Sequence, residues 1–223
     1  MSPLRPPQPP GVADNMVLGR FVDAGAVPLL AALAGGRVFV TPTILDPQER
    51  PPFVRQPTAE FAKGIFAAQR DLSRPLFATR VQRRTAFYGA VGSAWDSVAL
   101  SSSELAQARF FESRAAFLQA KSANPTIKRR RVDAGEAECA AVAVTRGWAL
   151  WTDDAAIIDV LAALHPGHSV ERVSDLLSRA VREALLACEE AADLYNRVFK
   201  GTLGLWTRLT LVCHNGQIAV EES

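Results

Sequence analysis

Two short apolar runs fix most of what this chain can fold into. RVFVT (37–41) and WALWT (148–152) are rich in β-branched and aromatic residues, and each has segments of helical periodicity before and after it. Strands separated by helices cannot close as tight hairpins. They pair in parallel, and helices then cover both faces of the sheet. GVA (11–13) reads as a third strand of the same alternation, and HSVERV (168–173) as a short fourth. The expected fold class is therefore α/β, a three-layer α/β/α domain with a central parallel sheet.

Helices account for most of the remainder. In NMVLGRFVDAG (15–25), Val17, Leu18, Phe21 and Val22 share one face, and Gly25 follows as a C-cap. AVPLLAAL (26–33) is a second helix. The middle reads as three more: TAEFAKGIFAAQRDL, VQRRTAFYGAVGSAW and SSELAQARFFESRAAFLQAK, the last capped by Ser102 or Ser103. DAGEAECAAVAVTRG, DDAAIIDVLAALHPG, SDLLSRAVREALLAC and EEAADLYNRVFK follow, and Asn-Gly within RLTLVCHNGQIAVE predicts a hairpin with a type I′ turn. The organisation expected is a flexible Pro-rich tail over 1–10, an α/β domain over 11–178 with a basic helical insertion at 51–131, and a helical and β-hairpin C-terminal extension over 179–223.

Composition narrows the setting. No apolar stretch approaches the roughly 20 residues needed to span a bilayer, and MSPLRPPQPP lacks the apolar core of a signal peptide. Cys139, Cys188 and Cys213 are odd in number and lack CxxC spacing, which argues against a disulfide framework or a zinc site and for a reducing cytoplasm. Charge is lopsided. Residues 50–131 hold 15 Lys/Arg against 5 Asp/Glu, whereas the rest of the chain holds 10 against 18. A basic surface beside an acidic site is the arrangement expected where a polyanion meets a carboxylate-bound metal; a merely solvated basic helix surface is the alternative.

The acids fall where the fold would gather them. In an open parallel sheet, sites form at the carboxyl ends of the strands. Asp14 follows GVA, Asp46 lies just beyond RVFVT, and Asp153 and Asp154 follow WALWT. Glu136 opens the helix before WALWT, and a helix antiparallel to the strands starts at that same edge. Carboxylates alone, without His or Cys, select hard ions such as Mg²⁺ or Mn²⁺, which recruit phosphate oxygens and activate water for phosphodiester hydrolysis. Each acid also has a capping reading: Asp133 with Glu136 forms a capping box, Asp153 caps the helix after it with Asp154 on its dipole, and Asp14 caps NMVLGRF.

DN followed by two helices and RVFVTPTILD, together with DAGEAECAAVAVTRGWALWTDDAA, resembles the PIN-domain family of metal-dependent ribonucleases, especially its toxin-component forms. The resemblance covers about 11–50 and 132–178. It implies Asp14, Glu136 and Asp154 as metal-binding acids, with Asp153 a further ligand or helper and Thr152 a hydroxyl that orients the site. Asn15 stands for the polar residue that often follows the first acid. The acid of the second helix would be Asp46, preferred here, or Glu49. RNA is the implied substrate, held by the 51–131 segment and by Lys128, Arg129, Arg130 and Arg131. An antitoxin-like protein and a second copy of the chain are the other partners it admits.

Competing sites are weaker. Asp23 in FVDAG lies at the far end of its helix with no partner acid, HPGH reads as a helix-terminating loop, and His214 sits at the hairpin turn. No serine lies in a nucleophile elbow. Beside the ribonuclease reading stand a non-cleaving PIN-like module that binds nucleic acid or protein, and a hydrolase of small phosphoesters using the same acids.

Overall fold

The computed structural model describes residues 10–45, 75–89, 95–128, 131–196 and 209–222. Asp46, Glu49, Arg129 and Arg130 lie outside them, as do the Pro-rich tail and the helix expected over TAEFAKGIFAAQRDL. The order of elements is β1 (Gly11–Ala13), α1 (Asn15–Ala24), α2 (Val27–Leu33), β2 (Val38–Val40), α3 (Pro42–Leu45), α4 (Pro75–Gly89), β3 (Trp95–Ser97), α5 (Ser102–Phe111) and α6 (Arg114–Ala123). There follow α7 (Ala134–Arg146), β4 (Ala149–Trp151), α8 (Ala155–Leu164), β5 (Val170–Glu171), α9 (Val173–Arg182), α10 (Cys188–Asp193), β6 (Leu209–His214) and β7 (Gln217–Glu222).

Five strands form one sheet in the order β3-β2-β1-β4-β5, and all four pairings are parallel. β1 and β4 are central and buried along their whole length, as expected for strands covered on both faces. Helices flank the sheet in two packed groups. One contains α3, α5, α6, α7 and α8; the other contains α1, α2, α4 and α9. The core includes Phe21, Leu18, Leu150, Trp151, Phe111 and Ile157. No helix among the described residues is long and apolar enough to cross a membrane.

Two glycines are required by geometry. A Cβ on Gly11 would lie 2.2 Å from the Trp151 ring, so β1 can lie against this indole only with glycine there. Gly147, at φ 67°, stops α7 in the left-handed conformation and turns the chain into β4.

The chain moves outward from β1 through β2 to β3, then returns to lay β4 on the other side of β1. The strand order reverses between β1 and β4, and such a reversal opens a crevice at the carboxyl ends of those two strands. Backbone register carries Asp14 to the same level as Thr152: Ala13 pairs with Trp151, and the Asp14 N–H donates to the Trp151 carbonyl at 3.0 Å.

Several element limits differ from the pattern reading. Trp95–Ser97 is the edge strand β3, not the end of a helix; three residues are too few to show an alternation. The segment 102–121 is two helices, because Ser113 caps a new one through Ala116 N–H at 3.2 Å, and the first is capped by Ser101 rather than Ser102 or Ser103. The C-terminal hairpin turns at Asn215 (φ 50°) and Gly216 (φ 74°), as Asn-Gly predicts. It packs on α9 and α10, and Leu211 enters the shared core.

One expectation is overturned. Cys188 and Cys213 form a disulfide with a Cα–Cα distance of 5.6 Å, and Cys139, which is buried, takes no part in a disulfide. The 25-residue separation gave no sign of it, because only the folding of β6 onto α10 brings the two sulfurs together. Cysteine usage therefore no longer argues for a reducing compartment.

Candidate acidic site

Asp14 ends β1 and begins α1, and its carboxylate serves both. Its Oδ1 accepts the Val17 N–H at 2.8 Å as the N-cap of α1, and its Oδ2 accepts the Thr152 hydroxyl from the neighbouring strand end. Thr152, fully buried, also accepts the Asp154 N–H on its Oγ1 at 3.0 Å. One hydroxyl thus ties the first acid to the backbone of the last.

Asp154 is the N-cap of α8, its Oδ1 accepting Ala156 N–H at 2.6 Å. Glu136 lies in the first turn of α7, where its Oε2 accepts the Asp133 N–H at 3.0 Å. The capping readings of Asp14 and Glu136 hold, and that of the adjacent pair holds with its residues exchanged: Asp154 caps, not Asp153. Capping is no alternative to clustering here. Each acid uses one oxygen in its cap, and the three helix starts converge on one edge of the sheet.

Electrostatics reports the convergence. Burial pushes Asp14 up to about 6, with the Asp154 charge adding to it and Thr152, Val17 and Arg20 opposing. Burial pushes Glu136 up to about 8, against the Asp133 N–H, and the charges of Asp154, Asp14 and Asp133 raise it further. Both shifts come first from burial and are increased by the neighbouring acids, so ionising Asp14, Glu136 and Asp154 together is unfavourable in the folded chain.

The cation that sequence reasoning missed is Arg20. It is 4% exposed, ion-paired with Asp153, and its charge acts on Asp14. Burial lowers it to about 10, with Asp14 and Tyr195 opposing. The sequence signal was its position three residues after Val17, on the apolar face of α1, where a solvated arginine does not belong. Asp153, expected as a further ligand or helper, is held by Arg20 and by the Val173 N–H at 3.3 Å.

Glu138 was also missed. Two residues past Glu136 it points about 200° around the helix, and it accepts Thr43 N–H at 3.1 Å and Thr43 Oγ1–H at 2.6 Å. Helix α7 thereby sends one glutamate to the acidic site and another to the start of α3. Cys139, one turn on from Glu136, reaches the Ala13 carbonyl at 3.5 Å and Thr41 Oγ1 at 3.7 Å.

The basic residues divide by role. Arg80 and Arg84 bind Asp23 at 2.8–3.0 Å, so part of the basic segment serves the α1–α4 contact and not the surface. Lys128 and Arg131 are exposed, and Arg131 pairs with Asp133 at 3.3 Å.

Among the described residues, no three Asp, Glu, His or Cys side chains stand close enough to share one metal ion. The carboxylates of Asp14, Glu136 and Asp154 offer oxygen donors, and Asn15 Oδ1, next in the chain after Asp14, is buried with no hydrogen-bond partner. That chemistry suits a hard cation. Asp14, Glu136 and Asp154 would have to draw inward by side-chain rotation to enclose it. No family model, no curated protein and no solved structure matches this chain.

Proposed function

We propose that this protein is a PIN-like, metal-dependent endoribonuclease whose acidic site is Asp14, Glu136 and Asp154. The observation that carries the reading is the placement of these three acids at one sheet edge, beside the strand-order reversal and near enough to feel one another's charge, with Asp14 and Glu136 pushed up to about 6 and about 8. Structural acids are ordinarily paired with cations. Arg20, the cation that acts on Asp14, is ion-paired with Asp153, and among the described residues the charges that act on Glu136 are all negative. Mg²⁺ or Mn²⁺ held by Asp14, Glu136 and Asp154 would supply the missing charge and the activation of water that phosphodiester hydrolysis needs. Thr152 fixes the Asp14 carboxylate and the Asp154 backbone in one geometry. Arg20 holds Asp153 and biases Asp14 towards its ionised form. The exposed Lys128 and Arg131 offer phosphate contacts; Arg129 and Arg130, expected to do the same, lie outside the described residues.

A second reading, a non-cleaving PIN-like module that binds nucleic acid or protein, is favoured by one observation. Both Asp14 oxygens are already engaged, by Val17 and Thr152, and the three acids do not close on a common shell. Cleavage of single-stranded RNA with Mn²⁺ separates the two. Asp154→Asn is the informative variant, because asparagine caps a helix as well as aspartate and leaves α8 intact. The nuclease reading expects activity in the wild type and its loss in a folded Asp154→Asn protein. Unchanged activity in that variant would remove Asp154 from the site, and an inert wild type would favour the binding module.

A further inference from the structure

A cavity of about 360 Å³ opens where α5 hands over to α6, and its lining includes Glu112, Arg114, Phe117, Arg131, Val132 and Val160. Its volume lies in the range of small-molecule sites. Its composition is that of neither a core void nor a plain surface groove: two phenylalanines and two valines line it together with two arginines, a glutamate and a serine. The Lys121 ammonium lies 5.8 Å over the Phe117 ring and adds a third cation.

The cavity is linked to the acids through Arg131. Arg131 pairs with Asp133, whose backbone N–H is bound by Glu136 and whose charge raises Glu136. Val160 lies six residues beyond Asp154, the cap of the same helix, which is about 9 Å along the axis. Arg131 and Asp133 are largely solvent-exposed, so their ion pair is weak and a phosphate can displace Asp133 from it.

We propose that this cavity is a nucleotide subsite that takes one residue of single-stranded RNA beside the acids. The base lies against Phe117 between Val132 and Val160, a base amino group donates to Glu112, and a backbone phosphate sits between Arg114 and Arg131. Aromatic stacking with cationic phosphate contacts is the general mode of single-strand recognition. The assignment rests on the ribonuclease reading for its substrate class, but it binds RNA whether or not the acids cut it.

The test is fluorescence anisotropy of a labelled six-nucleotide oligoadenylate RNA with the full chain in EDTA, so that cleavage plays no part. The expected result is binding by the wild type, with a loss of about tenfold or more in Phe117→Ala and a comparable loss in Arg114→Ala/Arg131→Ala. Phe117 packs partly on the core, so Phe117→Leu, which keeps the apolar contact and removes the stacking face, must weaken binding too. Wild-type affinity in Phe117→Leu and in the double arginine variant overturns the subsite, as does absence of RNA binding by the wild type or equal displacement by polyglutamate. The two proposals fail separately. Mn²⁺-dependent cleavage with unaffected subsite variants sinks the subsite alone, whereas weakened binding in those variants without any cleavage supports the subsite and sinks the nuclease.

Discussion

The Thr152 hydroxyl donates to Asp14 Oδ2 across 138 residues of sequence, joining the ends of the two central strands. The same oxygen receives the Asp154 N–H, so a single buried atom positions two of the three acids. Replacing Thr152 by valine keeps its shape and removes the hydroxyl. Asp14 then loses the largest influence opposing its burial and holds its proton to higher pH. The expected cost is about 1–3 kcal/mol in urea unfolding, with Thr152→Ser recovering most of it. A valine variant as stable as the wild type would show that this hydrogen bond contributes nothing to the fold.

The raised acids set a pH dependence with a definite sign. Asp14 and Glu136 bind protons more tightly when folded than their ordinary values of 3.8 and 4.5. Their contribution is fully present below those values and is lost as pH rises through about 6 for Asp14 and about 8 for Glu136. For Asp14 the loss is on the order of 3 kcal/mol. In EDTA, the melting temperature of the wild type should therefore fall relative to Glu136→Gln between pH 5 and 8, since glutamine cannot ionise. A gap between the two proteins that stays constant over that range would contradict the assigned shift.

Asp23 is a purely structural acid, and its loss should show as such. It is buried and bound by Arg80 and by both Nε and Nη2 of Arg84, which is itself buried. Asp23→Ala takes this carboxylate from a buried guanidinium and should cost about 3–5 kcal/mol, read by urea denaturation. Mn²⁺ affinity of the folded variant should stay at the wild-type level; a loss of metal binding would tie this end of α1 to the site.

The disulfide should hold the C-terminal hairpin to α10. Closing a loop of 25 residues restricts the unfolded chain by about 3 kcal/mol. Reduction with dithiothreitol, or the double variant Cys188→Ser/Cys213→Ser, should lower stability by that order. The untreated protein should show one reactive thiol, Cys139, and only after unfolding. Three thiols in the unfolded, unreduced protein would rule the bond out.

Much of the fold was legible because its signals are local. RVFVT and WALWT each lie between helical periods, and Asn-Gly fixed the hairpin turn. The edge β3 was not legible, because three residues in partial burial carry no period. The placement of acids at strand ends came from the parallel-sheet rule, and Asp14, Glu136 and Asp154 do lie at one edge of the sheet, although among the described residues no three acids stand close enough to share one metal ion. What the pattern could not assign was which of two neighbouring acids caps α8. That is decided by Arg20, on a different helix, which draws Asp153 away. Glu138 and the Cys188–Cys213 bond were hidden for the same reason: their partners are set by tertiary contact and leave no trace in spacing.

The central claim is that Asp14, Glu136 and Asp154 form one divalent-cation site, and isothermal titration with Mn²⁺ at pH 8 tests it most directly. Protons compete with the metal for Glu136, so binding should tighten from pH 6 to pH 8. The wild type should show saturable binding that each of Asp14→Asn, Glu136→Gln and Asp154→Asn abolishes or weakens strongly, with every variant folded. A wild type that takes up no Mn²⁺ at pH 8, or a Glu136→Gln protein that binds it as tightly as the wild type, would contradict the shared site.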